Sequence, residues 1–331
     1  MAKNGFALSK EEVLDVVKKY VEQNSLTVPF VGNRPGHDWC KGFCERQKMS
    51  LKKMEPLEKA RKINTSDPFL IYNFYDLVEK NIKDLALEDK PNHIYNLEKS
   101  SFRSDPSRVK LLSGVGQKAH RTQEGTGRDN TTVLACCNAA GLVTSPLIIF
   151  QGANLWSTWK GEKDLSGTFY ACSQNSWMTS EIVHDYFKQF SKIVKERPLL
   201  FIFDGHMTHL DVATAEYARE NQITIIKLPA HTSDVLRPLD KSCFKTFKYV
   251  WDQHLLQWYR QNQIKMLKDE FVDMLCKVWN TGLTPKNVKT GFESTGIFPF
   301  DRTKYPIARL DAEKLSRYKI KKRVLRRMMK Q

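Results

Sequence analysis

The sequence predicts a mixed α/β domain, with a sheet flanked by helices, preceded by a small all-α segment. Residues 199–203 are a continuous apolar run of the kind found in fully buried parallel strands, residues 223–228 are a second, mostly apolar run that also predicts a buried strand, and a helical pattern lies between them. Shorter strand-like runs precede this unit and indicate an antiparallel meander. In the first 60 residues apolar side chains recur at helical spacing instead.

Composition sets the class of protein. Of the 331 residues, 41% are hydrophobic, which is enough for a core. No apolar run approaches the ~20 residues that span a bilayer, and the N-terminus lacks the apolar segment of a signal peptide, so neither a membrane protein nor a secreted one is expected. The seven cysteines have no framework spacing, which predicts free thiols.

The net charge of +16 predicts a polyanionic partner. Residues 302–331 hold twelve Lys or Arg against two acids, and residues 1–66 hold thirteen against eight. The middle is therefore close to neutral. A neutral core with basic ends favours nucleic-acid binding at the ends, although a solvated basic tail has the same composition.

The N-terminal segment predicts two helices. Ser9 and Glu12 form a capping box at the start of a helix over residues 9–24, and the breakers at 33–36 end the connection. A second helix over 37–47 places Trp39, Phe43 and Arg46 on one face, and we expect the two rings in the core. Helix, turn and aromatic helix resemble a helix-turn-helix.

Further elements follow along the chain. A helical connector is predicted over 66–92. Strands are predicted over 93–97, 131–138 and 146–150, and helices over 179–196, 211–221, 240–260 and 267–279.

Three carboxylates stand at the ends of predicted elements. Glu98 follows the first strand, Asp204 follows the apolar run 199–203, and Asp240 opens a helix, where capping is an alternative role. Catalytic groups gather at the carboxyl ends of strands in open α/β sheets. Phosphoryl transfer by two divalent metals needs convergent carboxylates, because Mg²⁺ prefers hard oxygen ligands.

Residues 93–300 resemble the catalytic domain of pogo/Tigger-type transposases of the Tc1/mariner superfamily. The resemblance implies a ribonuclease-H-like fold, catalysis and metal binding by Glu98, Asp204 and Asp240, and Mg²⁺ (or Mn²⁺) as cofactor of an active enzyme. It is carried by IYNLEKSSF (94–102), SDPSRVKLL (104–112), GRDNTTVLACCNAAG (127–141), PLIIFQG (146–152), LLFIFDGHMTHL (199–210), LPAHTSDVLRPLDKSCFKTFK (228–248) and GFESTGIFPFD (291–301).

Residues 9–62 resemble the later part of a centromere-protein-B-type helix-turn-helix. The resemblance is carried by PF-x-x-NRPG (29–36), Trp39, Phe43, Arg46 and SLKKMEPLEKAR (50–61). It divides the chain into a DNA-binding segment (1–65), the connector (66–92), a DDE-type core (93–301) and a basic tail (302–331). The basic side chains expected to contact DNA are Arg34, Lys41, Arg46, Lys48, Lys52, Lys53 and Arg61.

The chain departs from the family pattern at several positions. Glu98 stands where the family has Asp, and its longer side chain shifts the carboxylate by about an ångström, enough to slow catalysis ~10²-fold. Lys99 replaces an acid and adds a positive charge beside the site. Asp234 stands where a neutral or His residue is usual, and is interpreted as a loop acid rather than a ligand. The family's further upstream helix-turn-helix is not found before residue 9.

The leading hypothesis is a domesticated or decayed transposase-derived protein. It would bind DNA in the nucleus through residues 9–62 and the basic tail, and its core would cleave weakly or not at all. One alternative is an active Mg²⁺-dependent transposase that cleaves and transfers strands. Another is a truncated transposon relic. Whether the chain is an enzyme, and whether it forms a homodimer, stays open at this stage.

Overall fold

The computed structural model describes residues 8–50, 59–104, 130–204, 211–262 and 266–328. The chain forms two compact units, residues 1–59 and 60–331. Lys52 and Lys53 fall outside the described residues, as do two histidines that follow Asp204 in sequence, His206 and His209.

The N-terminal unit contains two helices, α1 (Lys10–Gln23) and α2 (His37–Arg46). The predicted capping box is confirmed: the backbone N–H of Ser9 donates to Glu12 at 2.7 Å, and that of Glu12 donates to the Ser9 hydroxyl at 3.3 Å. Between the helices, Gly32 adopts a φ of +62°, which glycine reaches without strain. Both predicted helices are therefore present within one or two residues of their expected ends.

The core of the N-terminal unit is formed by aliphatic and thiol side chains rather than by the aromatic rings. Leu14, Val21 and Cys40 are buried. Trp39 and Phe43 are only half-buried, and their rings stack at 5.2 Å between centroids. The expectation that these rings lie in the core is met only in part.

The larger unit has ten helices and six strands among its described residues. The helices are α3 (Lys59–Ser66), α4 (Pro68–Asp84), α5 (Ser180–Ile193), α6 (Val212–Glu220), α7 (Ser233–Leu236), α8 (Pro238–Ser242), α9 (Phe244–Asn262), α10 (Lys268–Gly282), α11 (Pro285–Thr295) and α12 (Ala312–Met328). The strands are β1 (Ile94–Arg103), β2 (Asn130–Asn138), β3 (Leu147–Gln151), β4 (Phe169–Ser173), β5 (Leu199–Asp204) and β6 (Ile223–Leu228).

The six strands form one sheet in the order β4-β3-β2-β1-β5-β6. Strand β2 runs antiparallel to both of its neighbours, and the remaining pairs are parallel. Strand β5 is an internal, fully buried parallel strand, as predicted, whereas β6 is parallel to it but lies at the edge of the sheet and is only partly buried. A mixed sheet flanked by helices confirms the predicted ribonuclease-H-like fold class.

Side chains alternate between the two faces of the sheet. On one face, Ile94, Leu200 and Ile202 join a large core with α4 and α8 to α11, and we call this the helix-rich face. On the other face, Tyr95 and Phe201 pack with α5. Even-numbered residues of β1 and β5 therefore point to the helix-rich face, and odd-numbered residues point to the face covered by α5.

Several elements differ from the sequence expectations. Strand β1 continues to Arg103 because β2 pairs with it from Tyr95 onward in a long antiparallel ladder. The edge strand β4 and the helix α11 were not predicted. The connector helix α4 packs into the core, and Tyr75 donates from its hydroxyl to the Thr295 carbonyl at 2.6 Å.

All seven cysteines are free, as predicted. Within the described ranges, no helix has both the length and the apolar character needed to cross a bilayer.

Candidate functional site

Strands β1 and β5 bring two of the three predicted acids side by side. Leu97 pairs with Phe203 in the parallel ladder, one residue before Glu98 and Asp204. Both acids lie on the helix-rich face, because they are an even number of residues from Ile94 and Ile202 on their strands. Both are buried, with 3% of Glu98 and 8% of Asp204 exposed. Parallel pairing of adjacent strands thus accounts for the meeting of residues that are 106 positions apart.

Lys99 does not share that face. Because side chains alternate along β1, Lys99 lies on the side of the sheet opposite Glu98. Its positive charge has only a minor effect on the Glu98 pKa, smaller than those of Arg237 and the two aspartates. The pleat of the strand therefore places Lys99 across the sheet from Glu98, and its charge acts on the site only weakly.

The third acid, Asp240, lies in the segment that follows β6. Asn96 fixes this segment to the sheet: its amide nitrogen donates to the Ile202 carbonyl at 2.8 Å, and its amide oxygen accepts from the Leu239 backbone N–H at 3.3 Å. Asp240 is the next residue along α8. A side chain on β1 therefore sets the position of the helix that carries Asp240.

Helix α11 supports the same segment from the other side. A Cβ atom at Gly291 would lie 2.5 Å from the carbonyl oxygen of Pro238, closer than any side chain tolerates. The absence of a side chain at Gly291 lets α11 pack directly on the backbone of α8. Ser242 adds a hydrogen bond from its hydroxyl to the Asn287 carbonyl at 2.7 Å.

Arg237 lies between the three carboxylates. Its Nη1 is 2.6 Å from Oε1 of Glu98 and 3.1 Å from Oδ2 of Asp240. Its Nη2 contacts Oδ2 of Asp204 and donates to the Ser233 hydroxyl at 2.5 Å. One buried guanidinium thus joins all three predicted acids, and the sequence analysis did not single it out.

A signal for Arg237 was present in the sequence. It is the only charged residue in the apolar stretch 235–239, and it precedes Asp240 by three positions, which places both on one side of a helical turn. A lone charge in an apolar stretch indicates a buried ion pair.

Burial dominates the electrostatics of the carboxylates. Burial raises the pKa of Glu98 to about 8, although Arg237 acts to lower it, and Asp240 and Asp204 raise it further. Burial also raises the pKa of Asp240, against the lowering effects of Arg237, Lys248 and Arg61. The second oxygen of Glu98, Oε2, is buried without a hydrogen-bond partner.

The predicted pair of divalent metals does not fit this arrangement. The guanidinium of Arg237 contacts the same three carboxylates that would have to hold the metals. Over the described part of the chain, no three His, Cys, Asp or Glu side chains are arranged to hold a metal ion. The three acids converge as predicted, but around a protein cation.

The predicted DNA-contacting side chains fall into two groups. In the N-terminal unit, Lys41, Arg46 and Lys48 are exposed on α2 and just beyond its end. Arg34 is held by two acids of α1, with Nε 2.7 Å from Asp15 and Nη2 2.8 Å from Glu11.

Arg61 belongs to the larger unit. It lies on α3, and its positive charge lowers the pKa of Asp240. Its Nε is buried without a hydrogen-bond partner.

Part of the basic tail is docked within the larger unit. On α12, Tyr318 stacks on Tyr72 at 5.0 Å, and Lys314 lies 2.8 Å from Asp67. Lys322 lies 3.2 Å from Asp76 of α4. Some of the tail's charge is therefore balanced internally, which a count of basic residues does not reveal.

Comparison with known proteins gives a family for the core. Residues 128–292 match the DDE superfamily endonuclease family. The chain is 26% identical over 212 residues to the MFS-type transporter clz9 of Cochliobolus lunatus, which covers 62% of this chain and 23% of the relative. It is 21% identical over 306 residues to CENP-B homolog protein 2 of Schizosaccharomyces pombe, which covers 86% of this chain and 56% of the relative.

The chain thus spans 23% and 56% of the lengths of these two relatives. Among solved structures, the Mos1 transposase paired-end complex with left transposon end aligns with a TM-score of 0.49 at 13% identity, covering 90% of this chain and 76% of that one. Residues 128–292 thus form a domain similar to the DDE superfamily endonucleases, in a chain that is similar over most of its length to a CENP-B homologue.

Proposed function

We propose that this protein binds DNA through its N-terminal unit and that its endonuclease-like core cleaves DNA weakly or not at all. The observation that carries the DNA-binding part is the exposed basic set on α2 and just beyond its end, Lys41, Arg46 and Lys48, in a chain that matches the DDE superfamily endonucleases. Exposed lysines and arginines on a short helix are free to neutralise phosphates, and phosphate contacts supply most non-specific affinity. DNA as the partner implies a nuclear location.

The weak-cleavage part rests on the acidic site. Glu98 carries its carboxylate one methylene further from the backbone than an aspartate does, and Arg237 contacts all three acids. A displacement of about 1 Å in a reacting group costs ~10²-fold in rate. The arrangement therefore supports a DNA-binding role more strongly than a cutting one.

Salt dependence tests the binding. Duplex binding by the full chain is followed by fluorescence anisotropy from low to high salt, and log K is expected to fall steeply with log [salt]. Lys41→Gln is expected to reduce the slope by roughly one. Lys83→Gln is the matched control, since Lys83 lies on α4 and pairs with Glu79 at 2.8 Å. A flat salt dependence would remove DNA as the partner.

An active transposase is the second candidate, and the convergence of Glu98, Asp204 and Asp240 favours it. Nicking of DNA that carries the element's terminal repeats is measured with Mg²⁺ or Mn²⁺. Asp204→Ala is the inactive control. Nicking by the native chain that this substitution abolishes establishes the active enzyme. Nicking only after Glu98→Asp supports a weakened core.

A further inference from the structure

We propose that Arg237 is a built-in cation that takes the place of divalent metal in the acidic site, so that this core holds its carboxylates together without metal. The inference deepens the proposed function. It rests on that function only in treating Glu98, Asp204 and Asp240 as the counterparts of a metal-binding triad.

The hydrogen-bonding geometry of Arg237 supports this role. Each terminal nitrogen contacts different carboxylates: Nη1 contacts Glu98 and Asp240, and Nη2 contacts Asp204. A guanidinium is planar and offers several donors in a fixed fork, so it can join oxygens from three different elements. A metal ion performs the same joining by coordination. The guanidinium and a bridging metal thus compete for the same oxygens.

The backbone around Arg237 keeps the side chain in place. Leu236 and Leu239 on either side are fully buried, and Pro238 starts the helix that follows. Only 10% of the Arg237 side chain is exposed. To release the acids, the side chain would have to leave a buried site and break four charged or polar contacts.

The charge of Arg237 is permanent, because a guanidinium does not lose its proton in proteins. A divalent ion entering between the acids would come within a few ångströms of this charge. At an effective dielectric constant of about 20, repulsion at that distance lowers affinity by well over tenfold. Ser233 also fixes Nη2, so the guanidinium cannot simply rotate away from Asp204.

The Glu98 carboxylate has a second oxygen that the guanidinium does not contact. Oε2 of Glu98 is buried and has no hydrogen-bond partner. Once the guanidinium is removed, this atom and the oxygens of Asp204 and Asp240 are donors of the hard type that Mg²⁺ or Mn²⁺ prefers, and the three side chains would have to move closer together to share an ion. The site therefore retains the ligands of a metal centre while the arginine excludes the metal.

The test measures Mn²⁺ binding by the full chain without DNA, from the loss of the free-ion signal in electron paramagnetic resonance. The native chain is expected to show no saturable binding tighter than about 1 mM, the weak end of protein sites for divalent ions. Arg237→Gln removes the charge and keeps a polar side chain. It is expected to bind one or more ions at least about tenfold more tightly.

Three further variants assign the site. Arg237→Gln combined with Asp204→Asn is expected to lose the gain, and Arg237→Lys, which keeps the charge, is expected to show none. Arg309→Gln is the matched control, since Arg309 pairs with Asp234 at 2.9 Å and does not contact the three acids. Circular dichroism reports whether each variant is folded.

Two outcomes would overturn the inference. The first is saturable Mn²⁺ binding by the native chain that Asp204→Asn abolishes, and this measurement decides even if Arg237→Gln does not fold. The second is a folded Arg237→Gln chain with no gain in Mn²⁺ affinity. Neither depends on DNA, so a failure of DNA binding would remove the proposed function and leave this result intact.

Discussion

Two arginines in this molecule each join carboxylates from other elements, and their surroundings are opposite. Arg34 connects the turn before α2 to Asp15 and Glu11 of α1, at a site open to solvent. Arg237 joins three acids inside the larger unit, where its own side chain is 10% exposed and only Asp240 is partly open to solvent. The same ionic chemistry is thus used once at the surface and once in a core.

The difference lies in what happens when the arginine is removed. At the surface, water and salt take over the interactions of the freed acids, so the pair contributes little. In the core, the freed carboxylates remain desolvated beside one another. Burial, rather than the number of contacts, decides which arginine the fold depends on.

The largest expected effect is on Arg237. Arg237→Gln in EDTA-containing buffer is expected to lower the free energy of unfolding by about 3–5 kcal/mol, because it leaves buried acids without their counter-charge. Urea denaturation followed by fluorescence measures it. Arg309→Gln, at a half-exposed pair, is expected to change the same quantity by about 1 kcal/mol or less. Equal losses in the two variants would contradict the comparison.

A second test asks whether burial or Arg237 has the larger effect on the pKa of Glu98. Burial raises the pKa of Glu98 to about 8 in the folded state, from the ordinary 4.5. The folded chain then holds this proton more tightly than the unfolded chain, so the Glu98 contribution to stability is present below pH 4.5 and is lost as pH rises to about 8.

Glu98→Gln removes this contribution. The stability of the variant relative to the native chain is therefore expected to increase between pH 4.5 and 8, as measured by urea denaturation at several pH values. If the native chain instead becomes more stable relative to the variant between pH 4.5 and 8, the effect of Arg237 on the Glu98 pKa exceeds that of burial, and Glu98 is charged in the folded chain.

Arg302 gives an intermediate case. Its guanidinium lies 2.7 Å from Asp76 and 2.5 Å from Glu79 on α4, and 29% of its side chain is exposed. Arg302→Gln is expected to lower the free energy of unfolding by about 1 kcal/mol, since water partly screens these pairs. Lys83→Gln, which removes a more exposed partner of Glu79, is expected to cost less. A loss as large as that of Arg237→Gln would break the link between burial and cost.

Arg34 is expected to show the smallest effect on stability. Arg34→Gln should leave the urea midpoint of the chain unchanged within error, because both partner acids are exposed. Glu11 and Asp15 also compete with DNA phosphates for the Arg34 guanidinium. The loss of DNA affinity, measured by anisotropy, should therefore be smaller for Arg34→Gln than for Lys41→Gln. The reverse order would show that Arg34 leaves α1 to contact DNA.

The elements with a strong local pattern were predictable from sequence. Strand β6 has its expected bounds, and β5 extends only one residue beyond its prediction, because predominantly apolar runs of strand length have few alternatives in a globular chain. Strand β4 was missed because its five residues are all half-buried at the edge of the sheet, so they show no clean alternation. Helix α11 carries polar and glycine residues whose role is to pack on α8.

The site was predictable in its acids and not in its counter-charge. The identities of Glu98, Asp204 and Asp240 came from motif order, and their meeting follows from the pairing of β1 with β5 and the anchoring of α8. The position of Arg237 depends on a helical segment packed between the sheet and α11. That is a tertiary property, which the local pattern of the sequence indicates only as a lone charge in an apolar stretch.

Asn96 makes the link between sheet and acid-bearing helix directional. Its side chain must donate on one side, to the Ile202 carbonyl, and accept on the other, from the Leu239 N–H. Aspartate has the same shape but no donor when ionised, and leucine has neither function. Glutamine has both but reaches further by one methylene. Only asparagine among the standard side chains meets both requirements at this length, so the alignment of three acids and one arginine depends on the polarity of a single amide.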